Sequence, residues 1–303
     1  MKSIIYSIYI DIEEENLEKN NSYVGDDIPK SLRTKIELKK HYENLVKNKE
    51  NYAKSCKSDY KVFGNDEKYQ NFVKYFKKFN NLEFDIINFY KIYLFEELSK
   101  EYDQVLYLDL DVIIKTDENF FEKFNSDQIY AYAPDCSQQN IWKEHWIRRY
   151  VKGEVTFDDV VSKHLEKHNM YVKNMAKKAM LATQLKTGSE KFINTAILSG
   201  KSNTIQQINF FNNIENHINY FNDMKHDNFF GKELTKLFFV NNEVFFSFVI
   251  ENYNIPFQSL TENWHYMLLN KQSYNTEKFN NSKFIHVIDK NFDRVFKICG
   301  IKK

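Results

Sequence analysis

The stretch Gln104-Val105-Leu106-Tyr107-Leu108 stops abruptly on Asp109-Leu110-Asp111 and resumes as Val112-Ile113-Ile114. A short, nearly unbroken apolar run of this kind marks a strand buried on both faces, as in parallel sheets covered by helices. Charge at the edge of a core is costly without a partner, so an acidic pair there needs a physical reason. Residues two apart on a strand point to the same side, and a turn can aim both carboxylates at one hard cation. Mg²⁺ and Mn²⁺ prefer oxygen ligands and commonly share their sites with substrate phosphates. Chance alone supplies about one Asp-x-Asp in a chain this rich in Asp. Its place at the end of a buried strand sets this one apart.

The surrounding pattern alternates. Ile4 to Ile12 reads as an opening strand, Leu32 to Lys57 as an amphipathic helix with Leu38, Tyr42, Leu45 and Val46 at helical spacing, and Tyr60 to Phe63 as a second strand. Tyr69 to Phe79 and Phe89 to Leu98 are helical. Ile129 to Pro134, Phe192 to Leu198 and Phe238 to Val240 are strand-like, and Asn140 to Thr187 is helix-rich, with Trp142, Trp146 and Tyr150 as packing or sugar-stacking residues. Strands alternating with helices predict an α/β fold with a doubly wound, mostly parallel sheet. Ligands bind such sheets beyond the carboxyl ends of the strands, where the acidic pair falls. With no linker rich in Pro, Gly or Ser and no internal repeat, residues 1–303 are expected to form a single domain with a helical insertion near 140–187.

Composition narrows the function classes. Lys plus Arg is 43 against 42 for Asp plus Glu, a formal charge of +1, so nothing asks for nucleic acid. Phe is 27 and Tyr 20 while Gly is 7 and Pro 3, the bias of an AT-rich coding sequence, which lowers the weight of any single aromatic or Lys. Cys56, Cys136 and Cys299 are far apart and odd in number, which fits a reducing compartment. No apolar run reaches membrane-spanning length, and Ser3 to Ile10 lacks a cleavage site and runs into acidic residues, so a cytoplasmic protein is expected.

Tyr102-Asp103-Gln104-Val105-Leu106-Tyr107-Leu108-Asp109-Leu110-Asp111-Val112-Ile113 resembles the D-x-V-L-Y-L-D-x-D signature of glycosyltransferase family 8, which includes glycogenin and bacterial lipopolysaccharide galactosyltransferases. The resemblance implies a GT-A (Rossmann-like) fold and transfer of a hexose from a nucleotide-sugar, a UDP-hexose, to an acceptor hydroxyl on a glycan or protein, with retention. It implies Mn²⁺ or Mg²⁺ held by Asp109, Asp111 and His286, the last in Phe284-Ile285-His286-Val287-Ile288-Asp289-Lys290, with His265 as the alternative ligand. Lys91, in Phe89-Tyr90-Lys91-Ile92, and Lys290 fall where the family places cations near the diphosphate. Ile8, Tyr9 and Asp11 would line the nucleoside pocket, with Leu110 beside the donor. Asp135, after Ala131-Tyr132-Ala133-Pro134, and Asn194, in Phe192-Ile193-Asn194-Thr195-Ala196, would meet the sugar. Asn241-Asn242-Glu243 takes the place of the family's D-Q-D, leaving Glu243 as the carboxylate there.

Two other readings compete. A haloacid-dehalogenase-like phosphatase would use Asp109 as nucleophile and Asp111 as general acid, but needs a later acidic pair on a strand end, and Asp158-Asp159 lies in a polar helical stretch. A catalytically inert GT-A scaffold that binds the nucleotide-sugar fits the amides at 241 and 242, since an amide is a poor covalent nucleophile. His164 and His168 have metalloprotease spacing, but Glu166 is misplaced for a general base and Lys163 and Lys167 mark a solvated face.

Overall fold

The computed structural model describes residues 1–17, 28–79, 83–133, 149, 152–156, 177–178, 180–186, 192–226, 241–269 and 275–300. They gather into two compact units. The first comprises Met1–Tyr132, Ala196–Gln206 and Phe257–Lys303, and the second Ala133–Thr195 and Gln207–Pro256. Most of the predicted insertion, with Trp142, Trp146 and Tyr150, lies outside the described residues, as do Phe238 to Val240.

The first unit carries the α/β sheet that the alternating pattern predicts. Its strands are β1 (Ser3–Ile8), β2 (Asp59–Phe63), β3 (Gln104–Leu108), β5 (Ile129–Tyr132), β6 (Asn194–Lys201, of which this unit holds the part from Ala196) and β7 (Phe257–Ser259), in the order β2-β1-β3-β6-β5-β7. β1 pairs parallel with β2 and β3, β5 parallel with β7, and β3 antiparallel with β6. The parallel crossovers are made by α1 (Lys30–Ser55) between β1 and β2, and by α2 (Glu67–Phe76) with α3 (Glu83–Leu98) between β2 and β3. All five residues of β3 are buried, as its apolar run demands. Full burial of each large apolar side chain there contributes about 1.5–3 kcal/mol.

A second, three-stranded sheet has the order β4-β9-β8, from β4 (Val112–Ile114), β8 (Tyr266–Leu268) and β9 (Phe284–Val287). The chain passes from β3 into β4 through Asp109–Asp111, where Val112 N–H donates to the Asp109 carbonyl at 3.0 Å and closes a tight turn. β4 pairs antiparallel with β9, setting Val112 opposite His286. Leu106, Leu108, Val112, Phe120, Trp264 and Phe284 share one hydrophobic cluster, and Leu110, Ile113, Ile285 and Phe292 share another. Leu45 joins the second cluster, with Leu38, Tyr42 and Val46 packed against it, so the stripe predicted on α1 faces the core.

In the second unit the helix Asn242–Asn252 packs on the helix Phe210–His226, with the Phe210 and Phe245 rings 5.5 Å apart. His217 is fully buried between Phe221 and Phe245, at ring distances of 4.9 and 5.3 Å. Neither of its ring nitrogens has a hydrogen-bond partner among the described residues. Burial lowers its pKa to about 3, so the folded state holds it neutral. Among the described residues no helix is long and apolar enough to cross a membrane.

His217 gives the fold a pH dependence of defined sign. Below the unfolded value of about 6.5 the unfolded chain binds a proton that the folded state refuses until about pH 3. Stability is therefore lost as pH falls through that window, by up to about 1.4 kcal/mol per pH unit. Urea unfolding of the wild type and His217→Phe at pH 7.5 and 5.0 should show a smaller loss at pH 5.0 in the variant. Equal losses would contradict the assignment.

Candidate active site

The turn between β3 and β4 builds the site. Asp109 follows the last residue of β3, with its N–H bonded to the Ala196 carbonyl of β6 at 2.8 Å. Asp111 precedes β4, and its carbonyl accepts from Val287 N–H of β9 at 3.0 Å. The backbone of each aspartate is thus held by a different sheet. The β4–β9 register then brings in His286, and ligand atoms of Asp109, Asp111 and His286 lie within 4.8 Å of one another. Among the described residues this is the one acidic and histidine cluster with metal-binding geometry.

A phenol hydroxyl and two lysines surround the carboxylates. Asp109 Oδ1 accepts from the Tyr107 hydroxyl and lies 3.5 Å from Lys91 Nζ. Burial, then the Asp109 charge, push the Tyr107 phenol well above its usual pKa, so it stays a donor. The Tyr6 hydroxyl donates to the Lys91 carbonyl at 2.7 Å and pins that segment of α3. Asp111 is buried, and burial by itself raises its pKa. Lys290 and His286 outweigh that effect and hold the carboxyl well below the usual range. Lys290 Nζ donates to Asp111 Oδ2, and His286 Nε2 lies 3.5 Å from the same oxygen. Asp111 Oδ1 is buried with no hydrogen-bond partner among the described residues.

An orphaned buried carboxylate oxygen beside a second carboxylate and an imidazole is a donor set that suits a divalent cation. His265 stands behind the cluster rather than in it. Its Nε2 is 3.3 Å from His286 Nδ1, and burial, then His286, depress its pKa well below the usual value. A neutral histidine there fixes the ring that presents Nε2 to Asp111, as outer partners of metal-ligating histidines do.

Tyr107 and Lys49, neither of them among the residues predicted from sequence, also hold the turn. Lys49 of α1 is fully buried and donates to the carbonyls of Leu110 at 2.9 Å and Val112 at 2.7 Å. Burial lowers its pKa to about 7, against the opposing pull of Asp111 and Asp109. One signal was available for it: Lys49 falls on the helical stripe of Leu38, Tyr42 and Leu45, where the spacing calls for an apolar residue. Leu110 itself packs into the core.

The remaining sequence candidates fall elsewhere. In the first unit, Ile8 is buried, Tyr9 packs on Tyr42 with ring centroids 4.6 Å apart, and Asp11 pairs with Lys35 at 3.0 Å and Lys39 at 3.1 Å. In the second unit, Asn241 caps the helix Asn242–Asn252, its Oδ1 accepting from Glu243 N–H at 2.9 Å and Val244 N–H at 3.2 Å. Asn242 Nδ2 donates to Thr195 Oγ1 at 2.6 Å. Buried Glu243 accepts from Asn194 Nδ2 at 2.9 Å and from Lys177 Nζ. Asn194, Asn242 and Glu243 thus form one polar cluster with Thr195 and Lys177. Asp135 lies outside the described residues.

The model of one family, Glycosyl transferase family 8, matches residues 4–156, just over half of the chain and the part that carries the two aspartates. The chain belongs to glycosyl transferase family 8. Family membership makes it a glycosyltransferase and sets aside the phosphatase reading of Asp109. Solved structures similar to this glycosyltransferase include one involved in glycosylation of the major capsid of PBCV-1, with 8% identity, 100% of both chains covered and a TM-score of 0.46. Mouse xyloside xylosyltransferase 1 in its apo form is 13% identical, with 95% of this chain and 98% of that one covered and a TM-score of 0.46. The apo WbbM bifunctional glycosyltransferase is 11% identical over 94% of this chain and 45% of its own, with a TM-score of 0.41. No curated protein matches the chain significantly.

Tyr107 offers a test of how the site is held. Tyr107→Phe removes the hydroxyl from Asp109 and keeps the ring, so Mn²⁺ affinity measured by calorimetry should fall about 10-fold or more. An unchanged affinity would contradict a role for this hydrogen bond.

Proposed function

We propose that this glycosyltransferase moves a hexosyl group from a nucleotide diphosphate-sugar, a UDP-hexose, to an acceptor hydroxyl, with Mn²⁺ or Mg²⁺ held by Asp109, Asp111 and His286. The observation that carries the reading is the convergence of these three ligands around a buried, unpartnered Asp111 Oδ1. In the reaction the bond from the anomeric carbon to the diphosphate oxygen breaks with its electron pair on that oxygen, a bond to the acceptor oxygen forms, and the acceptor hydroxyl proton passes to the departing diphosphate. When bound, the cation supplies positive charge for the diphosphate as it leaves.

The chain's own residues do the rest. Lys91 and Lys290, each beside one of the two aspartates, add charge for the departing diphosphate. Lys290 occupies Asp111 Oδ2 and leaves Oδ1 for the ion. Ile8 and Tyr9, at the end of β1, and Asp11 beyond it serve the nucleoside, and Tyr9 offers a ring for stacking. The family resemblance assigns Asp135, Asn194, Asn242 and Glu243 to the donor sugar, and Glu243 holds Asn194 in place. Asn241 acts as the helix cap that sets the start of this segment. Retention of anomeric configuration follows from the family resemblance, and the acceptor is a glycan or protein hydroxyl.

A catalytically inert nucleotide-sugar scaffold is the second reading. It is favoured by Asn241 and Asn242 standing where the family carries D-Q, both engaged in structural hydrogen bonds. One experiment separates the two. Purified protein is incubated with a panel of nucleotide-sugars, with Mn²⁺ or with chelator, beside an Asp109→Asn/Asp111→Asn variant, and nucleotide release and donor binding are followed. The enzyme reading expects metal-dependent release from one donor, lowered about 100-fold or more in the variant. Metal-dependent donor binding without release, across a panel of glycan and protein acceptors, would point to the scaffold. No binding of any donor would overturn both.

A further inference from the structure

The strand β4 is the edge of its sheet, paired on one side with β9. An edge strand presents unpaired backbone groups that must be satisfied if buried. Here α1 satisfies them with side chains. Asn48 makes a reciprocal pair with Ile114, its Nδ2 donating to the carbonyl at 3.0 Å and its Oδ1 accepting from the N–H at 2.9 Å. Tyr52 continues the line, donating to the Glu118 carbonyl at 2.7 Å and accepting from Phe120 N–H at 3.1 Å. Lys49 differs from both, because its partners flank Asp111. Its Nζ donates to the Leu110 and Val112 carbonyls on either side of that residue and lies 3.5 Å from the Leu45 carbonyl of its own helix.

We propose that Lys49 is a positioning residue of the cation site, fixing the backbone on both sides of Asp111 so that Asp109 and Asp111 present their carboxylates together. The turn has few alternatives for this job. Asp109–Val112 crosses between two sheets, and the carbonyls of Leu110 and Val112 are taken by neither sheet but by Lys49. Removing the Lys49 amino group leaves two acceptors at a buried position unpaired, and the cheapest relief is rotation of the peptides on which Asp111 is carried. A lysine on a buried apolar stripe is costly in a fold. Its place opposite the Asp-x-Asp turn is the compensating reason, and it acts through Asp111 without touching ion or substrate.

This inference rests on the cation reading above. The test is Mn²⁺ affinity by calorimetry on the full chain without nucleotide, for the wild type, Lys49→Met, Lys49→Gln and Asn48→Ala, each checked for folding by circular dichroism and thermal melting. Lys49→Met should bind Mn²⁺ roughly tenfold or more weakly. Lys49→Gln, which keeps two N–H donors, should fall between it and the wild type. Asn48→Ala loosens the same strand away from the turn and should lose stability while keeping the wild-type affinity. Either folded Lys49 variant binding Mn²⁺ as tightly as the wild type, or more tightly, overturns the positioning role, and Lys49→Gln decides if Lys49→Met does not fold. An equal loss in Asn48→Ala also overturns it, because the effect would then be general loosening. A wild type that binds no Mn²⁺ removes the cation reading itself, and the positioning role with it.

Discussion

The carboxylates of Asp109 and Asp111 sit where the chain leaves one sheet and enters another, and most of the first unit is arranged around that crossing. β3 is anchored between β1 and β6, so the backbone arrives at Asp109 already fixed. β4 is anchored to β9, so it leaves Asp111 equally fixed. Between them only a short turn is free to vary. Two rigid supports on either side give the pair a defined separation, which a surface loop would lack. The same β4–β9 pairing delivers His286, so one ladder supplies both the imidazole of the cluster and the frame of Asp111.

Charge explains why the site is built with so many lysines. Two carboxylates held together at a core edge repel each other and lose hydration. Lys91 beside Asp109 and Lys290 on Asp111 offset this from the front, and Lys49 binds the turn from behind. The outcome is a paired, partly buried acidic centre in which one oxygen, Asp111 Oδ1, has no partner among the described residues. A fully satisfied salt-bridge network would leave no such oxygen. Such an oxygen, beside a second carboxylate and an imidazole, fits the donor set that a divalent cation prefers.

Much of this was legible in the chain. The apolar run of β3 and the pair that ends it stand out because a fully buried strand tolerates no charge in its middle. The stripe on α1 and the positions of β1, β2 and β5 follow from periodicity, and they appear within a few residues of where the pattern puts them. β7 and β8 were missed, since each is three residues long and too short to show alternation. Lys49 and Tyr107 were missed for another reason. In a chain this rich in Lys and Tyr a residue type alone carries little weight, and the break that Lys49 makes in the apolar stripe of α1 gains meaning only from its contact 61 positions away. Asn241 reads from the sequence as a substrate-facing amide, and its cap geometry emerges only when the helix start at Asn242 is located.

Placement of a cation at the sheet crossing is the central claim, and locating the ion tests it most directly. Crystals grown with Mn²⁺ and UDP would be measured near the manganese absorption edge and an anomalous difference map calculated. The account predicts a strong peak bonded to Asp111 Oδ1, with Asp109 and His286 completing the protein ligands and Lys290 still on Asp111 Oδ2. A peak elsewhere, or no peak with UDP clearly bound, would contradict it.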